Sequence, residues 1–189
     1  MAEKTTHGDR FRSSDESSRV EIVVGKAEGK AYGAALAYLS MVEASDSGEQ
    51  IVGDYAVAYA IEEAEGLYHA RDGHLRWHDP KEENCHVEVS VRSAADGRFL
   101  PGLNVHATLI DSSGNEIGSH PLPFLWHPWI YHYGRNWKVA RDGDYRLRIH
   151  VDAPDFPRHD RVNGKRFQES VDVEFAVRIK TGRKLSRAA

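Results

Sequence analysis

The sequence contains a single cysteine, Cys85, among its 189 residues. One cysteine excludes an internal disulfide framework and a zinc site built from several thiolates. Long apolar runs are also missing, and no stretch approaches the roughly 18 consecutive apolar residues of a transmembrane helix. The first 19 residues lack the apolar segment of a secretory signal. The sequence therefore fits a cytoplasmic protein, or an exported one whose signal lies outside it.

A strong excess of charge of one sign is absent as well. The chain has 25 lysines and arginines against 29 acidic residues, for a formal net charge of −4. This balance argues against a nucleic-acid partner, because binding to phosphates requires a basic face. What the chain does have in excess is histidine, with 11 residues. Histidine is the commonest metal ligand, so the positions of these residues decide their meaning.

Alternation of apolar and polar residues, the pattern of a β-strand, dominates the chain from residue 54 to residue 179. Turn sequences such as Asp111–Asn115 separate the alternating runs. Several short strands joined in this way predict an all-β protein with an immunoglobulin-like antiparallel β-sandwich. The clearest runs are Asp54–Ile61, His86–Arg92, Leu103–Leu109, Tyr145–Val151 and Val171–Ile179.

The N-terminal part is less regular. Residues 1–19 are polar and predict a disordered tail. Val20–Val24 predicts a short strand, whereas Tyr32–Val42 fits either a helix or a strand, and its tyrosines and flanking glycines favour a strand. We therefore predict one sandwich domain over residues 20–182, followed by a frayed C-terminus at 183–189.

His86 and Glu88 are the first candidate metal ligands. They stand two apart on a predicted strand, so their side chains leave the same face of the sheet, with Cα atoms about 6.5 to 7 Å apart. An imidazole and a carboxylate at this spacing can converge on one ion. A solvent-facing polar stripe is the alternative interpretation.

A proline-rich segment, Pro121–Gly134, holds two further candidates, His127 and His132. Three prolines within eight residues exclude a central strand and predict a shaped loop, in which aromatic side chains surround both histidines. A metal site and a hydrophobic plug with both histidines hydrogen-bonded to backbone remain alternatives. A third loop, Asp155–Asp160, carries His159 beside an acid that either orients its ring or forms a charged turn.

Three short blocks occur in an order, and at separations, that resemble a known family. They are Cys85–Val89, Tyr131–Asn136 and Phe156–His159. The family is that of the periplasmic ferrous-iron-transport β-sandwich proteins, some of which are copper-dependent and support high-affinity iron uptake. The likeness runs from about residue 53 to residue 180.

The resemblance implies a set of metal ligands and one departure from the family pattern. Family members often have a methionine seven residues before the histidine of the Tyr-Gly motif, and Leu125 stands there in this chain. His127 is the candidate replacement. Without a thioether, the set favours Cu(II), Fe(II), Zn(II) or Mn(II) over Cu(I). The implied ligands are His86, Glu88, His132 and His159.

The function that the resemblance implies is divalent-metal binding in iron uptake or metal homeostasis. It also implies a homodimer with the site near the subunit interface, a location in the periplasm or cell envelope, and a membrane iron permease as partner. No nucleophile beside a base, phosphate-binding loop or paired catalytic carboxylates occurs in the sequence, so we do not expect an enzyme. Because metal binding requires neutral imidazoles, we expect affinity to fall below about pH 6.

Two other functions remain alternatives at this point. A site with only three protein ligands and open positions would suit a non-haem metal enzyme, so the number of ligands discriminates between the two metal functions. The aromatic residues of the third quarter of the chain would instead form a stacking platform for a carbohydrate or protein partner. They are Trp126, Trp129, Tyr131, Tyr133 and Trp137.

Overall fold

Two antiparallel β-sheets pack face to face in the computed structural model, which describes residues 10–184. A long helix crosses the outer face of the first sheet and continues into a π-helical turn. These helical elements are α1 (Arg19–Tyr38) and the turn Leu39–Glu43. The strands are β1 (Asp46–Val52), β2 (Tyr55–Glu62), β3 (Ala64–Glu65), β4 (Leu67–Arg71), β5 (His74–His78), β6 (Cys85–Ser93), β7 (Val105–Asp111), β8 (Glu116–Leu122), β9 (Phe124–Trp126), β10 (Tyr131–Trp137), β11 (Gly143–Val151), β12 (Val171–Ile179) and β13 (Arg183–Lys184).

The predicted sandwich is confirmed. The first sheet has the order β1-β2-β6-β10-β9, and the second has the order β12-β11-β7-β8. Their inner faces carry the alternating apolar residues and form the main core, as in β6, whose Val87, Val89 and Val91 are fully buried. Two small additions, the β4–β5 hairpin and the parallel pair β3–β13, stand outside the two sheets.

Strand β2 is packed on both sides. Tyr55, Val57, Tyr59 and Ile61 point into the core between the sheets. The residues between them, three alanines and Glu62, face outward and are buried as well. Ala60 packs against Leu39 and Ile130 in a second, smaller apolar cluster that Tyr32 and Leu36 of α1 complete.

The predicted strands at Val20–Val24 and in Tyr32–Val42 are wrong, because both segments lie in α1 and the turn that follows it. A capping box starts the helix: the Glu21 backbone N–H donates to Ser18 Oγ at 3.3 Å, and the Ser18 N–H donates to Glu21 Oε2 at 2.7 Å. This Ser-x-x-Glu signal is visible in the sequence, overlaps the first valine and marks the start of a helix.

Close approach of α1 to the body of the protein explains its glycines. Gly25 and Gly29 are the buried residues of the helix and lie one turn apart. A Cβ atom on Gly29 would stand only 1.9 Å from the carbonyl oxygen of Asp96, so only glycine allows this contact. Val20, Val23 and Val24 meanwhile remain exposed, so their β-branched side chains do not build a sheet.

The prediction of one shaped loop over Pro121–Gly134 is also wrong. Strand β8 extends to Leu122, β9 follows, and β10 begins at Tyr131. The prolines fit this arrangement: Pro121 lies in the edge strand β8, and the other two lie in the connections on either side of β9. His132 therefore stands on a regular strand between β6 and β9.

The described parts of both chain ends contact the body. In the segment 10–18, Ser14 Oγ donates to Asp160 Oδ2 at 2.7 Å, and Asn163 Nδ2 donates to the carbonyl of Arg12 at 2.9 Å. At the other end, β13 pairs with β3. The remainder of the predicted tail (1–9) and of the predicted frayed terminus (185–189) lies outside the described residues. Within residues 10–184, none of the helices has the length and apolar character needed to cross a membrane.

Candidate metal centre

Neighbouring strands bring three of the predicted ligands together on the outer face of the first sheet. His86 and Glu88 lie on β6, and the β6–β10 register places Gly134 opposite Glu88, two residues after His132. Ligand atoms of the three side chains lie within 4.8 Å of one another. Glu88 Oε1 is 3.3 Å from His132 Nε2 and 3.9 Å from His86 Nε2. All three residues are at least 95% buried.

Four buried polar atoms of this group have no hydrogen-bond partner among residues 10–184. They are His86 Nε2, Glu88 Oε2 and both ring nitrogens of His132. Burying such atoms without a partner is costly, and a bound cation would satisfy those that face the group. Two imidazoles and a carboxylate suit Cu(II), Fe(II) or Zn(II). The residues present therefore fit a divalent transition-metal ion.

Asn136 orients the first histidine. Its Oδ1 lies 2.8 Å from His86 Nδ1, and its Nδ2 donates to the carbonyl of Glu65 at 2.7 Å. The amide is thereby held with its oxygen towards the ring, so His86 Nδ1 carries the proton. The lone pair of His86 is then on Nε2, the atom that faces Glu88.

Gly134 makes the space that the group occupies. A Cβ atom there would lie 2.8 Å from His86 Nε2, 3.0 Å from His132 Cδ2 and 3.1 Å from Leu125 Cδ1. A larger residue would push into both rings. Because Gly134 has no side chain, the imidazole rings of His86 and His132 have room on this face of the sheet.

Burial disfavours the charged forms of all three side chains when no ion is bound. It raises the pKa of Glu88 well above its usual range, and the nearby Glu62 and Glu65 carboxylates add to this shift. It also lowers the pKa of His86 and brings that of His132 to about 3. The lowered pKa values keep the two imidazoles available to bind a cation, whereas a cation must compete with a proton for Glu88 up to a higher pH than at an exposed carboxylate.

Residues that sequence reasoning missed lie at the edge of the group. Glu65 Oε1 stands 4.0 Å from His86 Nε2. Lys184 on β13 makes an ion pair with the buried Glu62. A run of acidic residues at the end of β2 is visible in the sequence. Nothing in the sequence near Lys184 indicates that this lysine pairs with Glu62.

His159 lies outside the group in this chain. Its side chain is 93% exposed, and its Nδ1 stands 3.2 Å from Glu16 Oε2 in the 10–18 segment. The structure thus unites three of the four ligands that the resemblance implied.

His127 and Leu125 flank the group. Leu125 stands opposite His132 in the β9–β10 register, at the position where the resemblance predicts a methionine. His127 is half-buried on the connection to β10, and its ring packs edge-on against Trp129 at 5.4 Å. A positive charge on His127 would help to lower the pKa of His132, so His127 lies near the site. It does not belong to the group formed by His86, Glu88 and His132.

The proposed aromatic platform is only partly exposed. Trp126, Trp129 and Tyr131 are 70%, 40% and 46% exposed. Tyr133 and Trp137 belong to the core instead. Tyr133 donates its hydroxyl to the carbonyl of Leu100 at 2.7 Å, so it is a structural residue of the sandwich.

Solved structures with the same fold include several metal-binding proteins. FetP from uropathogenic Escherichia coli strain F11, in its as-isolated form expressed in the periplasm of E. coli, is 17% identical, with a TM-score of 0.61 over 74% of this chain and 98% of FetP. Copper-reconstituted P19 from Campylobacter jejuni is 16% identical, with a TM-score of 0.60 over 72% of this chain and 96% of P19. A copper-bound P19 variant with methionine replaced by isoleucine is 16% identical, with a TM-score of 0.58 over 75% of this chain and 98% of its own.

At these identities the structures establish a shared fold. None of the curated proteins matches the chain in sequence. The family model described as Fe2+ transport protein matches residues 72–180, and these residues make up more than half of the chain. They contain β6, β10 and therefore all three residues of the buried group. This chain belongs to the Fe2+ transport protein family.

Proposed function

We propose that this protein binds one divalent transition-metal ion through His86, Glu88 and His132 and acts in iron uptake. The observation that carries the proposal is the buried group itself: four of its polar atoms lack partners within the described residues, and ligand atoms of the three side chains lie within 4.8 Å of one another. Membership in the Fe2+ transport protein family supports the role in iron uptake.

Copper(II) and iron(II) are the ions that we propose for the site. FetP and P19 have both been crystallised with copper. Leu125 removes the soft thioether that would favour Cu(I), and the remaining imidazoles and carboxylate favour the divalent state. A P19 variant that has isoleucine in place of a methionine is still copper-bound, which supports copper binding without a full set of methionines.

In this proposal, a second copy of the chain supplies the fourth ligand. His159 is exposed and far enough from the group in its own chain to be available to a second copy. We propose a homodimer in which His159 of one chain completes the site of the other. A location in the periplasm or cell envelope and a membrane iron permease as partner complete the proposal, on the family resemblance.

Metal content measured by elemental analysis tests this function. Protein purified without chelators is loaded with Cu(II), Fe(II) or Zn(II) and desalted, alongside the His86→Ala, His132→Ala and His159→Ala variants. One ion per chain in the parent and a loss in the first two variants are expected, with a partial loss in the third. His150→Ala is the matched control, because His150 is held by Asp152 and Asp172 on the other sheet. No bound ion in the parent after loading with all three metals would overturn the proposal.

The second candidate function is that of a metal enzyme, and the observation that favours it is the group of only three ligands. Two histidines and one carboxylate with open positions are the set of non-haem iron oxygenases. Oxygen uptake by the Fe(II)-loaded protein with ascorbate distinguishes the two functions. Uptake no faster than that of the same amount of free Fe(II) with ascorbate favours the binding protein, whereas faster, continuing uptake that His132→Ala abolishes favours the enzyme.

A further inference from the structure

Glu65 places a second carboxylate beside the metal-binding group. Its Oε1 lies 4.0 Å from His86 Nε2, close to the 3.9 Å that separates Glu88 Oε1 from the same nitrogen. Two donor atoms bound to one divalent ion, each at about 2.1 Å, are at most about 4.2 Å apart. The carboxylates of Glu65 and Glu88 are therefore both close enough to His86 Nε2 to share an ion with it.

Asn136 holds the backbone of Glu65 in this place. The Glu65 N–H donates to Asn136 Oδ1 at 3.2 Å, and Asn136 Nδ2 donates to the Glu65 carbonyl at 2.7 Å. The same Oδ1 lies 2.8 Å from His86 Nδ1. One amide side chain thus fixes the backbone of β3 relative to the His86 imidazole, so the nearness of the second carboxylate is built into the fold.

The side chain of Glu65 has room to follow an ion. It is 23% exposed, whereas the side chain of Glu88 is 7% exposed. Within residues 10–184 its carboxylate accepts no hydrogen bond, and its one ion-pair contact is the one with His86. Glu65 lies just outside the group whose ligand atoms are all within 4.8 Å of one another, so its side chain must rotate inwards to join them. No other contact in the described part of the chain opposes that rotation.

The charges around the group match a divalent ion held by two carboxylates. Glu62 is buried, and Lys184 compensates its charge in an ion pair. None of the described lysines and arginines pairs with Glu65 or Glu88. When both are ionised, these two carboxylates carry two negative charges, which one divalent ion balances.

We infer that Glu65 is a further ligand of the ion that the buried group binds, and that it shifts the preference of the site towards hard ions. This inference rests on the proposed function, because it concerns the same ion. Glu65 supplies an oxygen donor in a site that lacks a methionine sulfur, since Leu125 stands where the resemblance predicts one. Two carboxylates and two imidazoles favour Fe(II) and Mn(II) over Cu(I).

Affinities for Fe(II) and Cu(I), measured without oxygen by competition with chromophoric chelators, test the inference. Glu65→Gln should weaken Fe(II) binding by about tenfold or more and Cu(I) binding by less than about threefold. The variant keeps both hydrogen bonds to Asn136, because they involve only the backbone of residue 65. Equal weakening for the two ions would contradict the preference for hard ions.

Glu65→Asp separates ligation from charge. It keeps the negative charge but is one methylene shorter, so a ligand that must reach the ion predicts Fe(II) binding close to that of Glu65→Gln. The visible absorption of the Co(II)-loaded protein reports the donor set directly. Its bands should shift in both Glu65 variants, because an oxygen donor is lost from the ion.

Glu63→Gln is the matched control, because Glu63 is exposed and its carboxylate lies beside Gly182. Its affinities and Co(II) spectrum should equal those of the parent. The inference would be overturned by equal Fe(II) affinity in the parent and Glu65→Gln. It would also be overturned if Glu65→Asp bound Fe(II) and absorbed like the parent, since charge alone would then explain the effect. A parent that binds none of these ions would instead overturn the proposed function.

Discussion

Glu88 is the residue on which metal binding and proton binding compete. It is buried with two imidazoles beside it, and burial raises its pKa well above the usual range, so it holds its proton to a higher pH than an exposed glutamate does. His132, with a pKa of about 3, stays neutral throughout the physiological range. The expectation that histidine protonation weakens binding below about pH 6 therefore changes: Glu88, and not His132, should set the pH dependence.

We predict that, below the raised pKa of Glu88, each bound ion releases one proton from this carboxyl. The affinity should rise by about tenfold for each pH unit, up to the pKa of that carboxyl, because the ion replaces its proton. Calorimetric titrations in two buffers of different ionisation enthalpy measure the number released. Glu88→Gln should release none and should bind the ion at least about tenfold more weakly. Proton release that persists in this variant would contradict the assignment.

Leu125 is the residue that sets the preference for a soft or a hard ion. It stands opposite His132 in the β9–β10 register, and its Cδ1 reaches the space beside Gly134. We predict that Leu125→Met raises the affinity for Cu(I) by about tenfold or more and leaves that for Zn(II) nearly unchanged, because a thioether is a soft ligand. Competition with a Cu(I) chelator measures the change. Leu109→Met, in the core between the sheets, is the control, and an equal gain there would contradict the prediction.

At the scale of elements, α1 determines how the metal-binding group is covered. The helix packs through Gly25 and Gly29 on the 96–98 turn, and Tyr32 and Leu36 cover the apolar cluster beside Ile130. Glu88 and His132 are buried partly because this helix lies over their sheet face. The sandwich provides the ligands, whereas the helix determines their access to water.

We predict opposite effects of two glycine substitutions in α1. Gly29→Ala places a Cβ atom 1.9 Å from the Asp96 carbonyl oxygen, so it should lift the helix and destabilise the protein by about 1 to 3 kcal/mol. At Gly33 the nearest atom to a new Cβ is Arg92 Nη1 at 3.9 Å, so Gly33→Ala should stabilise the helix by up to about 1 kcal/mol. Thermal unfolding measures both. Limited proteolysis should cut α1 faster in the first variant only, and similar behaviour of the two variants would refute this packing.

On the scale of the whole molecule, the same buried groups make stability depend on pH. The unfolded chain protonates His86 and His132 near their ordinary pKa of 6.5, whereas the folded chain keeps them neutral. Their contribution is present above pH 6.5 and is lost as the pH falls. Glu88 acts in the opposite sense: its contribution is present below pH 4.5 and is lost as the pH rises towards its raised folded-state pKa.

We predict that the metal-free protein is most stable near pH 6.5. Among these three groups, the two histidines outweigh the carboxyl below this value and Glu88 alone titrates above it, each net proton contributing about 1.4 kcal/mol per pH unit. Urea unfolding at pH 5, 6.5 and 8 measures the curve. Glu88→Gln should remove the fall on the alkaline side, and so should saturation with metal. A parent and a Glu88→Gln variant with the same pH profile would contradict this account.

Local patterns predicted much of the sandwich but not its N-terminal layer. Side chains that point into the core recur every two residues in β2, β6, β11 and β12. This period identifies the strands and their inner faces even when the neighbouring strands are not known. In α1 the valines suggested a strand, whereas the deciding contact, Gly29 on the Asp96 carbonyl, joins residues far apart in the chain. Local preference for a strand was outweighed by the capping box and by this contact.

The two-residue period of a strand is enough to predict that His86 and Glu88 share one face, because side-chain direction follows from that period. The resemblance to a family joined His132 and His159 to this pair and implied the role in iron uptake. The pairing of β10 with β6, the 3.3 Å approach of His132 to Glu88 and the separation of His159 from the group are visible only in the folded protein. The tertiary structure also decided that α1 leaves a cavity above Glu88 and His132. Strand pairing and burial join residues that are distant in the chain, and no local pattern records which distant segments will meet.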